Sequence, residues 1–147
     1  MQFTKISEGN TCNCLTDTIE NNTDKFVRKV TKSPTLKDRD FRTHAERGKV
    51  AEDKNDCNEV CGKNALSFEI WNSQSSDLLM KKYLTTLALS PQSKNNLCLV
   101  SFKPNSGLTK YTPDQIEYNE FHYDFYKEDS FSIDSLELIE MIPLVIS

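Results

Sequence analysis

Long apolar runs are missing from this chain, and their absence excludes a great deal. No stretch approaches the ~20 apolar residues that a membrane-spanning helix needs, so no membrane association is expected. The opening residues, MQFTKISEGNTCNC, have no basic start, apolar run or small-residue cleavage site, and do not read as a secretory signal. Histidine is scarce, with only His44 and His122. The five cysteines (Cys12, Cys14, Cys57, Cys61 and Cys98) are an odd number. Without an export signal they read as reduced thiols of a cytoplasmic protein rather than a disulfide framework. The sequon at Asn21 to Thr23 then reads as a chance match.

What is present suits one α+β domain over residues 1–147, with a polar N-terminal segment at 1–23. The chain is 147 residues long, enough to bury a core unaided. Its net charge is only −4, but the charge is unevenly placed. Lys25 to Lys49 holds nine bases and three acids, and Asp114 to Glu140 holds nine acids and one lysine, Lys127. The first segment could form an anion site and the second a partner-binding face, or the two could neutralise one another in the fold.

Periodicity sets out the elements. QFTKI is a possible first strand, and DKFVRKV places Phe26, Arg28 and Val30 on one strand face with Val27 and Lys29 on the other. Pro34, Thr35 and Gly48 punctuate a short surface helix, and residues 49–64 read as a polar loop. ALSFEIW alternates, with Leu66, Phe68 and Ile70 facing one way and Ser67, Glu69 and Trp71 the other. A helix from Asp77 to Ser90, stopped by Pro91, carries a stripe of Leu79, Met80, Tyr83, Leu84, Leu87 and Ala88 that is expected to dominate the core. NLCLVSFKP is apolar on both faces and reads as a central strand. NSGLTKY reads as a loop, Thr112 to Gln115 could open a short helix, FHYDFY is a strand, and SIDSLELIEMI a terminal helix before PLVIS. The pattern predicts a mixed or antiparallel sheet with two to four helices.

Four constellations could carry chemistry. A zinc site can be drawn from His44, Cys57, Cys61 and a fourth ligand, but the spacing fits no common finger, so no metal is expected. No cysteine stands in the tight turn or helix start that would activate it as a nucleophile. On a strand His122, Asp124 and Tyr126 share a face, so Asp124 could orient the imidazole for acid–base work. The plainer alternative is an edge strand whose polar face meets water while Phe121, Tyr123 and Phe125 enter the core. Nucleic-acid binding could use the basic segment, yet it has few aromatics and no reading motif, and is not favoured.

FVRKV, PTLKDRDF, SFE and FHYDFY, in that order over Phe26 to Tyr126, loosely resemble an uncharacterised family of small bacterial proteins, which implies no function. The same order distantly resembles the ADP-ribosyltransferase-like fold. That resemblance implies bound NAD, with Arg28 against a phosphate or ribose and Ser67 orienting it. It also implies a late acid, here Glu117 or Glu120, and places His122 beside the site. The late pair departs from the family's spacing, since Glu117 and Glu120 stand three apart. The leading functional expectation is a non-enzymatic protein-binding domain without a cofactor, using the acidic segment 114–140. The alternative is an NAD-using, toxin- or defence-type transferase with Arg28, Ser67, Glu120 and His122 as its catalytic residues and Arg28 as its cofactor contact.

Overall fold

The computed structural model describes residues 1–7, 11–89 and 94–145. Six strands form one antiparallel sheet: β1 (Lys25–Val30), β2 (Leu66–Trp71), β3 (Asn96–Phe102), β4 (Gly107–Tyr111), β5 (His122–Lys127) and β6 (Leu136–Pro143). Their order across the sheet is β4-β5-β2-β1-β3-β6. Among the described residues, three α-helices accompany it: α1 (Thr4–Ser7), α2 (Cys57–Lys63) and α3 (Ser76–Leu89). The α+β class read from the sequence is therefore what forms, with the antiparallel option realised. The predicted stop at Ser90 and Pro91, and the last two residues of PLVIS, lie outside the described residues.

Alternation along the strands gives the sheet two apolar faces. On one, Phe26, Phe68, Phe102 and Phe125 pack with Phe41, Leu66, Val100 and Leu136. Phe102 and Phe125 stack with ring centres 4.1 Å apart, and Phe68 meets Phe102 edge-on at 5.1 Å. Such pairs add about 0.5–1.5 kcal/mol each beyond the area they bury. Across the sheet, Val27, Leu97 and Leu99 meet Leu79 and Leu87 of α3. The helix stripe was expected to dominate the core. In the fold α3 buries Leu79 and Leu87 while Met80, Tyr83 and Leu84 stay half-buried, and the phenylalanine face is the larger cluster.

Several local expectations are overturned, each by tertiary context. QFTKI contains the single turn of α1 rather than a strand. The helix expected after Pro34 is only a 3-10 turn, Asp38–Phe41. Its apolar stripe is too thin, and Asp40 is turned inward to accept from Thr31 N and Thr31 Oγ1, both at 3.0 Å. The 49–64 loop contains α2, whose N-cap Asp56 accepts from the amides of Asn58 and Glu59. NSGLTKY carries β4, and Thr112 to Gln115 forms turns. The terminal helix is instead a 3-10 turn, Ile133–Ser135, followed by β6. Strand β3 is apolar on both faces and needs a second neighbour, and pairing from Asn96 to Phe102 draws Leu136–Pro143 into the sheet.

The cysteines correct the sequence reading most sharply. Cys12 is bonded to Cys57 and Cys14 to Cys61, and Cys98 is a free, buried thiol. Cys57 and Cys61 stand four apart on α2, which puts both sulfurs on one helical face. The segment around Cys12 and Cys14 lies along that face. Ile6, Cys14, Ala65 and Tyr126 close a third, smaller core beneath it. The reduced-thiol reading fails because this polar segment, with little apolar surface to hold it down, is stapled covalently. In the chain-entropy account, a bond across 45 or 47 residues stabilises by about 4 kcal/mol, the second adding less because it closes nearly the same loop. The unfolded, unreduced protein should therefore present one thiol to a colorimetric reagent and five after reduction. Reduction should lower the melting point while α3 and the sheet's circular dichroism persist. Five thiols without reductant would refute the pairing.

Candidate functional site

Strands β1 and β2 pair only over Lys25–Val27, matched with Trp71–Glu69. Beyond Val27 the register stops, and Arg28 occupies the gap. Its Nη1 donates to the Ser67 carbonyl at 3.0 Å and its Nε to the Asp40 carbonyl at 2.9 Å. The guanidinium lies 6.0 Å from the Phe41 ring centre and 5.9 Å from that of Phe68. Burial lowers its pKa from the usual arginine value, while the two carbonyls satisfy donors that the parted strands leave inside.

Next to this gap stands Glu69, a buried carboxylate at 5% exposure. Oε2 accepts from Lys82 Nζ and from Asn119 Nδ2, each at 3.0 Å, and Oε1 accepts a short bond from the Tyr83 hydroxyl. Three pieces of chain thus meet on one side chain: β2, α3 and the 112–121 segment. An acid this deep is stable only when its oxygens are met by donors. Burial and the Glu69 charge together push the Tyr83 hydroxyl well above its ordinary pKa, so it stays protonated and donates.

His122 pairs across the strands with Glu69. Its Nδ1 lies 3.0 Å from the Thr112 carbonyl and 2.9 Å from Thr112 Oγ1. A carbonyl can only accept, so Nδ1 carries the proton and Nε2 is left as the acceptor of a neutral ring. Burial depresses its pKa, the Thr112 bond and Glu69 pulling the other way. The expectation that Asp124 would orient the imidazole is corrected: Thr112 does so.

The residues proposed from the sequence are brought together in part. Arg28, Ser67 and His122 line one cavity of about 390 Å³ together with Glu69, Lys82 and Asn119. Glu117 and Glu120 line a neighbouring groove of about 550 Å³ between α3 and the 112–121 segment, which shares Glu69, Lys82, Asn119 and His122 with the first. From the sequence, Glu69 was placed with Ser67 and Trp71 on one strand face and Tyr83 in the helix stripe, whereas Lys82 and Asn119 were not singled out. The signal for Glu69 was available, because an acid on the helix-covered face of an alternating strand needs partners there.

Strand β5 differs from either sequence reading of HYDFY. It is not an edge, since β4 lies outside it, and its polar face is not wet. Asp124 and Tyr126 are each 1% exposed beneath the stapled N-terminal segment. Gln115 bridges from the 112–121 segment to α2, donating to the Asn58 carbonyl at 3.3 Å. Gly62 leaves room for the Gln115 amide, which a Cβ there would push aside. Asp124 Oδ2 accepts no hydrogen bond, and burial pushes its carboxyl up to about 7, with Gln115, Lys110 and Tyr126 acting in the opposite direction.

No family model, curated protein or solved structure matches this chain. Chemically, Glu69 is met by Lys82, Tyr83 and Asn119, while Arg28 and His122 are bonded to backbone carbonyls, and the open surface is the groove beside them. The two buried carboxyl groups differ in their partners: Glu69 is met by three donors, whereas Asp124 Oδ2 accepts no hydrogen bond.

The Asp124 environment sets a pH dependence. The folded chain keeps a proton up to about 7, whereas the unfolded chain releases it near ~3.9. Stability contributed by this group is therefore full below about pH 4 and is lost as pH rises through about 7. At roughly 1.4 kcal/mol per unit, the loss approaches about 4 kcal/mol. Asp124→Asn, which carries no charge, should be the more stable chain at pH 8 and should flatten the curve in denaturant titrations. Parallel curves for the two chains would contradict the assignment.

Proposed function

We propose that this chain is a non-catalytic, accessory or regulatory protein-binding domain, and that its docking surface is the groove between α3 and the 112–121 segment. One observation carries the reading. Ile116 is 95% exposed, Tyr118 73% and Leu78 55%, and all three line that groove beside Glu117 and Glu120. Clustered exposed apolar side chains with a charged rim are characteristic of interaction sites. The acidic segment 114–140 is not neutralised by the basic one through direct pairing of its acids. The ion pair that joins the two segments, Lys127 Nζ on Glu46 Oε1 at 2.5 Å, has the signs reversed.

A partner segment that fits would carry aliphatic or aromatic side chains flanked by lysine or arginine. The negative rim would accelerate and orient its approach, and salt would weaken it. The two disulfides support action in an oxidising compartment rather than in the cytoplasm, because paired cysteines are rarely maintained against cytosolic reductants. No helix among the described residues is long and apolar enough to cross a membrane. The second reading, NAD-using ADP-ribosyl transfer, draws support from Arg28, Ser67 and His122 lining one cavity. Against it, Arg28 Nε and Nη1 are already spent on backbone carbonyls.

The test uses synthetic peptides that hold an apolar pair between basic residues, titrated by fluorescence anisotropy. The native chain should bind them saturably and more weakly as salt rises, and Ile116→Ser combined with Tyr118→Ser should weaken binding by about tenfold or more. Equal binding by the double variant would remove the groove from the proposal. Saturable NAD binding in calorimetry would favour the transferase reading.

A further inference from the structure

The two edges of the sheet are finished differently. At β4 the outer edge is closed by Ile19: it and Thr109 each donate an amide to the other's carbonyl, at 2.9 and 2.7 Å. At the opposite end β6 pairs with β3 alone, and no strand among the described residues lies beyond it. β6 is also the longest of the six strands, eight residues from Leu136 to Pro143. An edge of that length offers a row of amides and carbonyls to any chain able to pair with it. Exposed apolar side chains accompany the row, Leu138 at 37% and Ile139 at 42%. The charge along it has one sign, since Glu137 and Glu140 are exposed and LELIEMIP contains no lysine or arginine. The register with β3 sorts these side chains by face. Leu136, Leu138 and Met141 stand opposite Phe102, Val100 and Cys98 and continue the phenylalanine face. Glu137 and Glu140 stand opposite Ser101 and Leu99, on the α3 side of the sheet. Between them the register shifts, leaving Ile139 as the extra residue of a bulge.

We propose that the β6 edge takes up an extended segment of a partner protein as a further strand, one in which lysine or arginine alternates with aliphatic residues. This edge would serve the protein-binding role proposed above and rests on that reading, while sharing no residue with the groove. Main-chain bonds along the edge supply affinity in such strand addition, and the alternate side chains supply specificity. The bases of the added strand would lie on the α3 side, beside Glu137 and Glu140. Its aliphatic side chains would lie on the other side, beside Leu138. A second copy of this chain is excluded as the occupant, because β6 set against β6 gathers the glutamates of both copies with no base between them. A bulge and charges of one sign guard an edge against its own kind. They leave it open to a strand of the opposite charge.

The probe is a short fluorescent peptide alternating lysine and valine. It is titrated by anisotropy into the chain carrying Ile116→Ser and Tyr118→Ser, so that the groove does not compete. The peptide should bind saturably and slow amide exchange along β6. The same peptide N-methylated at alternate amides, on the side presented to β6, should not bind. Glu137→Lys combined with Glu140→Lys should weaken the lysine peptide by about tenfold or more and create binding of a glutamate–valine counterpart. Both side chains are exposed, so the circular dichroism of the charge-reversed chain should match that of its parent, which separates the switch in preference from a loss of folding. No saturable binding, equal binding of the methylated peptide, or an unchanged preference after charge reversal would overturn the proposal. Dimerisation of the native chain that slows exchange along β6 would overturn it as well. Any of these results with the groove peptides still bound leaves the groove standing, whereas loss of the groove peptides alone leaves the edge standing.

Discussion

The fold depends on how one buried carboxylate is satisfied. Glu69 lies on the helix-covered face of a central strand, between Val27 on one side and His122 on the other. A charge placed there unpaired would be strongly destabilising, so its donors are structural requirements. Each donor comes from a different place: Tyr83 and Lys82 fix the azimuth of α3, and Asn119 fixes the segment that forms the opposite wall of the groove. The same side chain thereby separates the cavity beside Arg28 from the acidic groove.

The far side of the sheet solves a different problem. Residues 1–23 carry too little apolar surface to bind by burial alone, yet Asp124 and Tyr126 on β5 need a cover. Two disulfides to α2 supply it, with Gln115 seated on Gly62 completing the seal. The result is a third layer whose attachment is covalent, resting on an acid that burial holds near neutrality. The covalent staples and the raised pKa of Asp124 therefore belong to the same buried layer.

The legible parts of the sequence were those with strong periodicity. The strand faces of Phe26, Arg28 and Val30 and of Leu66, Phe68 and Ile70 emerge as read, as does the helix over Ser76–Leu89. The illegible parts were those decided by distant partners. LELIEMI suits a helix or a strand equally, and only the open edge of β3 selects the strand. Cys12, Cys14, Cys57 and Cys61 could not be paired without knowing that residues 57–63 are helical, although the four-residue spacing of Cys57 and Cys61 and Asp56 as an N-cap were present in the sequence. Arg28 and Ser67 lie side by side. Their contact is through the Ser67 carbonyl rather than its hydroxyl, which no sequence pattern reveals. The groove was visible only as excess acid, because the exposure of Ile116 and Tyr118 is a property of the turn that carries them.

The claim that Glu69 organises both cavities can be tested by amide hydrogen exchange on Glu69→Gln beside the native chain. The substitution keeps the shape of the side chain but removes the charge that Lys82 and Asn119 meet. The account predicts faster exchange through residues 112–121 and along α3 where it carries Lys82 and Tyr83, with β3 and β6 unchanged. Unchanged protection in both regions would show that α3 and the groove are held by apolar packing alone and would contradict the central role given to Glu69.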